Sequence, residues 1–316
     1  MRQDGLDGRD GLEGPAEKAD PAFPAAPALP AITSIHQHVA QARGRFREAG
    51  LSSKGAELDA RLLAQYVLGW SIERFITCGN EPEPPDFAHK YETLVERRLG
   101  REPLAYIVGR QEFWGLSFEV SPAVLIPRHE TELIVEVALE LFPDRDRTLT
   151  VADLGTGSGC VAVAIASERP AARITATDIS SVALEVARQN ATRHGVADRI
   201  QFRSADLLDG LEGPFDLIAC NPPYVAERDR RGLQPEVRDH EPDVALYGGT
   251  DGFHLVERLV HGAAVHLRPG GYLLFEFGLG QDERIESLIG GTGNLRLREL
   301  RRDLQGIART AVVERV

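Results

Sequence analysis

Cysteine is scarce in this chain. Its 316 residues include three, Cys78, Cys160 and Cys220. Their number is odd and no CxxC or Cys/His cluster occurs, so neither a disulfide framework nor a structural zinc site is supported. Such usage fits a reducing cytosol, and a cytoplasmic location is expected. The nine histidines contain no HExxH or similar pair. Each is by default a surface or packing residue, and no metal site is expected. Positive charge is also short. The formal net charge is −12 and the basic residues are nearly all arginine, which argues against a broad nucleic-acid footprint but leaves room for a local basic groove. No apolar run approaches the span of a membrane helix. The N-terminus is charged and glycine-rich, without the apolar core of a secretory signal. Length and composition point to about two domains in an ordinary globular chain.

Residues 1–31 are dominated by Asp, Gly, Glu, Ala and Pro. A disordered tail is expected there, because such a segment buries too little apolar area to offset its chain entropy. From 32 to 109 the apolar period is helical. Ile35, Val39, Ala42 and Phe46 form one stripe; Leu58, Leu62, Leu63, Tyr66 and Val67 a second; Phe87, Tyr91, Leu94, Val95 and Leu99 a third. Gly50, Gly69 and Gly100 close them, so a small helical bundle is expected. A β-hairpin linker is expected over 110–122, where β-type residues surround Gly115. A helix on Leu133, Ile134, Val137, Ala138 and Leu141 opens the last unit, 123–316. From Leu149 onward strands alternate with helices, and Pro269-Gly270-Gly271 is expected to end the helix over 252–267. Leu295–Leu300 and Thr310–Glu314 are expected to pair as a closing hairpin. Such alternation means a mainly parallel α/β sheet covered on both faces.

Two strand ends carry the chemistry. After the apolar run Phe215–Cys220 come Asn221-Pro222-Pro223-Tyr224. The prolines lack N–H donors and have fixed φ, and Asn221 is pushed out of the α region, so the chain leaves the sheet as a stiff elbow. That elbow suits a planar group bearing an NH2: the Asn221 side-chain oxygen and the Pro222 carbonyl each accept one N–H, and Tyr224 stacks as a flat wall. The plain alternative is that Asn-Pro only marks a turn. The first strand of the alternating region ends in Asp153-Leu154-Gly155-Thr156-Gly157-Ser158-Gly159, and the next ends at Asp178. Glycines let backbone approach a ligand closely, and a carboxylate at the second strand end takes both hydroxyls of a ribose. A glycine loop is shared with dinucleotide folds. Here its spacing is GxGxG, and Asp153 would repel a pyrophosphate but welcome the cationic charges of S-adenosylmethionine. In a 3-2-1-4-5 strand order, the loop and the elbow face each other across one crevice. That arrangement suits methyl transfer to nitrogen, and no residue stands out as a general base.

These residues carry a family resemblance. From about Glu102 onward the chain resembles the peptide-chain-release-factor glutamine N5-methyltransferases. The match runs through Pro103–Gly109, Glu112–Gly115, Leu125–Arg128 with Glu130–Glu132, and Asp153–Gly159 with Asp178. It continues through Asn221–Tyr224, Glu241-Pro242 with Gly248-Gly249, and Asp303–Gly306 with Arg309. The resemblance implies a Rossmann-like class I methyltransferase sheet, ordered 3-2-1-4-5-7-6 with the last strand antiparallel. It implies methylation of the glutamine side-chain amide in the Gly-Gly-Gln motif of class 1 release factors, by a chain expected to be a monomer, with 32–109 as its substrate-binding unit. Gly155, Thr156, Gly157, Ser158 and Gly159 would cradle the methionine end of S-adenosylmethionine, and Asp178 the ribose. Asp206 or Leu207 would border adenine, and Asn221, Pro222, Pro223 and Tyr224 would hold the target glutamine, with Asn221 also bordering the cofactor and Asn221 and Pro222 acting in catalysis. His129 stands where the family has proline, and Leu207 where some members have an aromatic. Arg128 acts only if its segment folds over the crevice, and Glu241 can be read as shaping a loop.

Three rivals share some of these features. A nucleic-acid amino-methyltransferase would use the same grip on a base NH2, but it also needs a surface for the phosphate backbone. A dinucleotide oxidoreductase leaves the elbow unexplained. A silent adenosylmethionine-binding protein would bind without transfer.

Overall fold

The computed structural model describes residues 34–316, so the tail expected at 1–31 lies outside the described residues. Five helices come first: α1 (Ile35–Glu48), α2 (Ser53–Leu68), α3 (Ile72–Cys78), α4 (Phe87–Leu99) and α5 (Leu104–Val108). Ser34 caps α1 in a reciprocal capping box with Gln37. The stripe Ile35, Val39, Ala42 and Phe46 is buried as its spacing requires. On α2 the buried face differs from expectation. Ala56, Asp59, Ala60, Leu63 and Ala64 point inward, while Leu58 and Tyr66 remain 43% and 42% exposed. Alanines allow close approach, and Asp59 is drawn inward by Arg98, whose Nε donates to Asp59 Oδ2 at 2.7 Å. The Tyr66 ring is covered instead by the Arg110 guanidinium, 5.8 Å from its centroid. Helices α3 and α5, seven and five residues long, are too short to show a period in the sequence.

A two-stranded hairpin follows, β1 (Arg110–Phe113) against β2 (Leu116–Glu119). Trp114 and Gly115 both have positive φ, 55° and 69°, the turn geometry that matches strand twist. The remainder runs α6 (Glu132–Leu141), β3 (Thr150–Leu154), α7 (Cys160–Glu168), β4 (Arg173–Asp178), α8 (Ser181–Arg193), β5 (Ile200–Ser204) and β6 (Phe215–Cys220). Then come α9 (Pro235–His240), α10 (Asp243–Leu246), α11 (His254–His266), β7 (Leu267–Glu276), α12 (Asp282–Gly290), β8 (Leu295–Arg302) and β9 (Ala308–Arg315).

The seven-stranded sheet has the order β5-β4-β3-β6-β7-β9-β8, which is the expected 3-2-1-4-5-7-6. The first five strands are parallel; β9 runs antiparallel to both of its neighbours. Every residue of β6 is buried, as a central strand covered on both faces must be. One apolar layer joins the sheet to α6, α7 and the hairpin; the other joins it to α11 and α12. Helix α12 was not anticipated from the sequence. Pro269-Gly270-Gly271 does not end α11, which stops at His266. It bulges within β7, where the register jumps from Phe215↔Leu267 to Leu217↔Tyr272. Gly270 has φ +75°, and a Cβ on Gly271 would lie 3.0 Å from the Phe215 carbonyl oxygen, so the bulge requires glycine there.

The helical unit is tied to the sheet unit by charge. Arg98 and Arg101 both donate to the Glu236 carboxylate, at 2.9 and 2.7 Å. Glu236 lies on α9, in the segment that follows the elbow, so this bridge fixes that segment against the end of α4.

Candidate active site

Strands β3 and β6 are neighbours, and their carboxyl ends carry the glycine loop and the elbow. Sheet order reverses between them, which opens a crevice. The cavity there measures about 270 Å³. Its wall includes Asp153, Gly155, Thr156, Gly157, Ser158, Asp178, Asp206, Leu207, Asn221 and Pro223. Gly159, Pro222 and Tyr224 lie outside that wall.

The loop geometry explains the glycines. Gly155 and Gly157 have φ of 67° and 54°. A Cβ on Gly155 would meet nothing within 4 Å, so this backbone faces open space. Gly159 is needed for packing, since its Cβ would lie 3.1 Å from the Ala187 Cβ on α8. Asp153 is fully buried. Its Oδ2 accepts from the Thr156 hydroxyl at 2.6 Å and from the Ala162 N–H at 3.1 Å, which holds the loop in shape. Burial lifts its carboxyl to about 6 despite those bonds. Asp178 accepts from the Gly157 N–H at 3.0 Å and the Ser180 N–H at 2.9 Å, and burial raises its pKa too. Leu207 takes a left-handed φ of 54°, and its carbonyl accepts from the Thr177 hydroxyl. The Asp206 carboxylate turns to the surface, where Arg258 Nη1 donates to it at 2.9 Å.

The elbow is held from behind. Tyr224 OH donates to Glu276 Oε1 at 2.8 Å, so its hydroxyl is anchored inward. The Asn221 Nδ2 donates to Thr131 Oγ1 at 3.0 Å, and Thr131 Oγ1 donates to Glu276 Oε2 at 2.6 Å. Gln281 Nε2 donates to the Tyr224 carbonyl at 3.3 Å. Backbone from the next loop presses close: a Cβ on Gly248 would lie 2.3 Å from the Pro223 oxygen, and one on Gly252 2.2 Å from the Tyr224 oxygen. Among the described residues the Pro222 carbonyl has no hydrogen-bond partner.

Comparison with known proteins identifies the family. The family model described as "PrmC N-terminal domain" matches residues 37–109, and "Methyltransferase small domain" matches 131–234. The release factor glutamine methyltransferase of Bradyrhizobium diazoefficiens is 42% identical over 86% of this chain and 93% of its own length. That of Geobacter sulfurreducens is 41% identical over 82% and 89%. The chain belongs to the release factor glutamine methyltransferase family. Among solved structures, the hMettl16 catalytic domain in complex with MAT2A 3'UTR hairpin 6 aligns with a TM-score of 0.52 at 16% identity, over 73% of this chain and 82% of that one, a likeness of fold alone.

In this member of the release factor glutamine methyltransferase family, the segment before α6 does fold over the crevice. Arg128 lines the cavity and its guanidinium binds the Glu241 carboxylate. Glu241 is buried and also accepts from the Ile126 N–H at 3.2 Å, so it ties 126–128 to the loop before α10. Sequence reasoning placed Thr131 in the motif Glu130–Glu132 without a role, and missed Glu276. The signal for Glu276 was a lone acid at the end of the otherwise apolar strand Tyr272–Glu276. It also missed Tyr247, which lines the cavity and whose buried hydroxyl has no partner among the described residues.

Proposed function

We propose that this methyltransferase uses S-adenosylmethionine to methylate the side-chain amide nitrogen (N5) of the glutamine in the Gly-Gly-Gln motif of class 1 release factors. The observation that carries this reading is the bond from the Asn221 NH2 to Thr131, which leaves Asn221 Oδ1 free to accept; the Pro222 carbonyl that follows it in the elbow is also without a partner among the described residues.

The cavity residues fit the cofactor. The turn from Gly155 to Gly159, with Thr156, Gly157 and Ser158, offers close backbone to the methionine end. Asp178, held by two backbone N–H groups, offers its carboxylate to the ribose hydroxyls. Leu207 and Asp206 border the adenine side, and Asp153 supplies negative charge beneath the loop. When bound, S-adenosylmethionine supplies an electrophilic methyl group on a positively charged sulfur.

An amide nitrogen is a poor nucleophile because its lone pair is delocalised, and attack builds positive charge on it. Two oxygens of the elbow accept its N–H bonds, aim the lone pair and favour that charge. Pro222 and Pro223 keep these oxygens fixed, so little reorganisation accompanies reaction. Positive charge makes the nitrogen's proton acidic, and water takes it after transfer; no side chain need act as base. The helical unit, 32–109, is the surface on which a release factor would dock, joined to the elbow's following segment through Glu236. The protein is proposed to act as a cytoplasmic monomer. Among the described residues no helix is long and apolar enough to cross a membrane.

Methyl-labelled S-adenosylmethionine, offered together with release factor, tRNA, rRNA and duplex DNA, is expected to label the release factor at the Gly-Gly-Gln glutamine. Label on nucleic acid alone would overturn the substrate assignment.

Cofactor affinity is expected to depend on pH through Asp153. A cationic ligand favours the ionised carboxylate, so affinity is highest above its pKa of about 6 and falls as pH drops through that value. Between pH 7.5 and 5.5 the ionised fraction falls about fourfold, and calorimetry is expected to show a loss of about that size. A flat affinity would remove Asp153 from cofactor binding.

A further inference from the structure

Thr131 lines the cavity beside Asn221, and Glu276, outside that lining, stands behind both. Glu276 closes β7 and is fully buried; Thr131 lies 145 positions away, just before α6. A threonine hydroxyl has one proton to donate. Here that proton points at Glu276 Oε2, at 2.6 Å. Tyr224 OH directs its own proton at the other oxygen, at 2.8 Å. Burial raises the Glu276 pKa, but the hydrogen bonds from Thr131 and Tyr224 favour its ionised form, which accepts only, so both protons are committed to it. The Thr131 oxygen can then only accept from Asn221, and the Asn221 group facing it must be the NH2, as observed at 3.0 Å. We infer that the Glu276–Thr131 pair is a positioning relay that dictates which end of the Asn221 amide faces the substrate. The inference rests on the proposed role of Asn221 as acceptor for the glutamine NH2.

Turning the relay round shows its consequence. A glutamine at 276 satisfies every partner when its NH2 donates to Thr131 and its oxygen accepts from Tyr224. The Thr131 proton is then released toward Asn221, the amide rotates, and an NH2 instead of an oxygen meets the substrate. The opposite placement of that glutamine leaves the Tyr224 proton buried without an acceptor, so rotation is favoured.

The test uses the full-length protein and a release factor, with turnover, cofactor affinity and melting temperature measured together. Glu276→Gln and Thr131→Val are each expected to lower kcat by at least about tenfold, with cofactor affinity within about twofold of wild type. Thr131→Ser, which keeps the hydroxyl, is expected to restore most of the rate that Thr131→Val loses. The decisive comparison is a double-mutant cycle. If Thr131 acts only through Asn221, Thr131→Val adds nothing in the Asn221→Ala background, whereas an independent structural defect would add in full. Full additivity, or unchanged kcat in Glu276→Gln, overturns the relay. Should Thr131→Val fail to fold, the Glu276→Gln rate and the same cycle run with Glu276→Gln decide. Wild-type enzyme that methylates no release factor would sink the substrate reading instead, a separate outcome.

Discussion

Replacing Asn221 with alanine is expected to lower kcat by about 100- to 1,000-fold, the cost of removing one preorganised polar contact to a developing charge. Affinity for S-adenosylmethionine is expected to stay close to wild type. The reasoning is geometric. Asn221 closes one side of the cavity at the end of a fully buried strand, and its NH2 is fixed by Thr131. Its oxygen needs no reorganisation when positive charge develops on the substrate nitrogen. Alanine removes that oxygen but leaves the proline backbone, and hence the Pro222 carbonyl, in place. The loss therefore belongs in turnover, with a smaller rise in KM for the release factor. Single-turnover methylation at saturating cofactor, with calorimetry for cofactor binding, separates the two. Unchanged turnover would remove Asn221 from the mechanism.

The strand order and both halves of the candidate site were readable because each lies at a strand end within a few consecutive residues. Alternating strands and helices dictate a parallel sheet, and a parallel sheet places its loops at one edge. What supports the site was not readable in that way. Asn221, Thr131 and Glu276 lie 90 and 145 positions apart along the hydrogen-bonded path, and only the folding of the segment before α6 against the ends of β6 and β7 brings them together. The same holds for Glu236, which meets Arg98 across 138 positions. Local pattern misled on α2, where a buried acid pairs with Arg98 and outweighs the pull of Leu58 and Tyr66 toward the core. It misled again at Pro269-Gly270-Gly271, residues that mark a helix stop and a strand bulge equally well.

The expected wall at Tyr224 takes a different form. Its hydroxyl is directed to Glu276, and burial beside that carboxylate pushes its pKa well above the usual tyrosine range. The residue therefore stays neutral and keeps its proton as a donor. One carboxylate thus organises two members of the elbow, Tyr224 directly and Asn221 through Thr131.

At the other end of the crevice, Asp178→Ala is expected to weaken S-adenosylmethionine binding by about 10- to 100-fold, since the proposed ribose contact would lose two charge-assisted hydrogen bonds together. The free protein is expected to melt near the wild-type temperature, because two effects oppose each other. Burial already raises the Asp178 pKa, so removing the carboxylate relieves a desolvation cost. Its loss also leaves the Gly157 and Ser180 N–H groups without their acceptor. Binding has no such offset. Stabilisation by a ligand grows only with the logarithm of its concentration over Kd, so at fixed cofactor the thermal shift should shrink by about 1.4 to 2.7 kcal/mol in equivalent free energy. A mutant that melts like wild type when free, yet gains much less from cofactor, would place Asp178 on the ligand. Calorimetry giving wild-type affinity would refute the ribose contact, and the cofactor would then have to be held by the glycine loop and Asp153 alone.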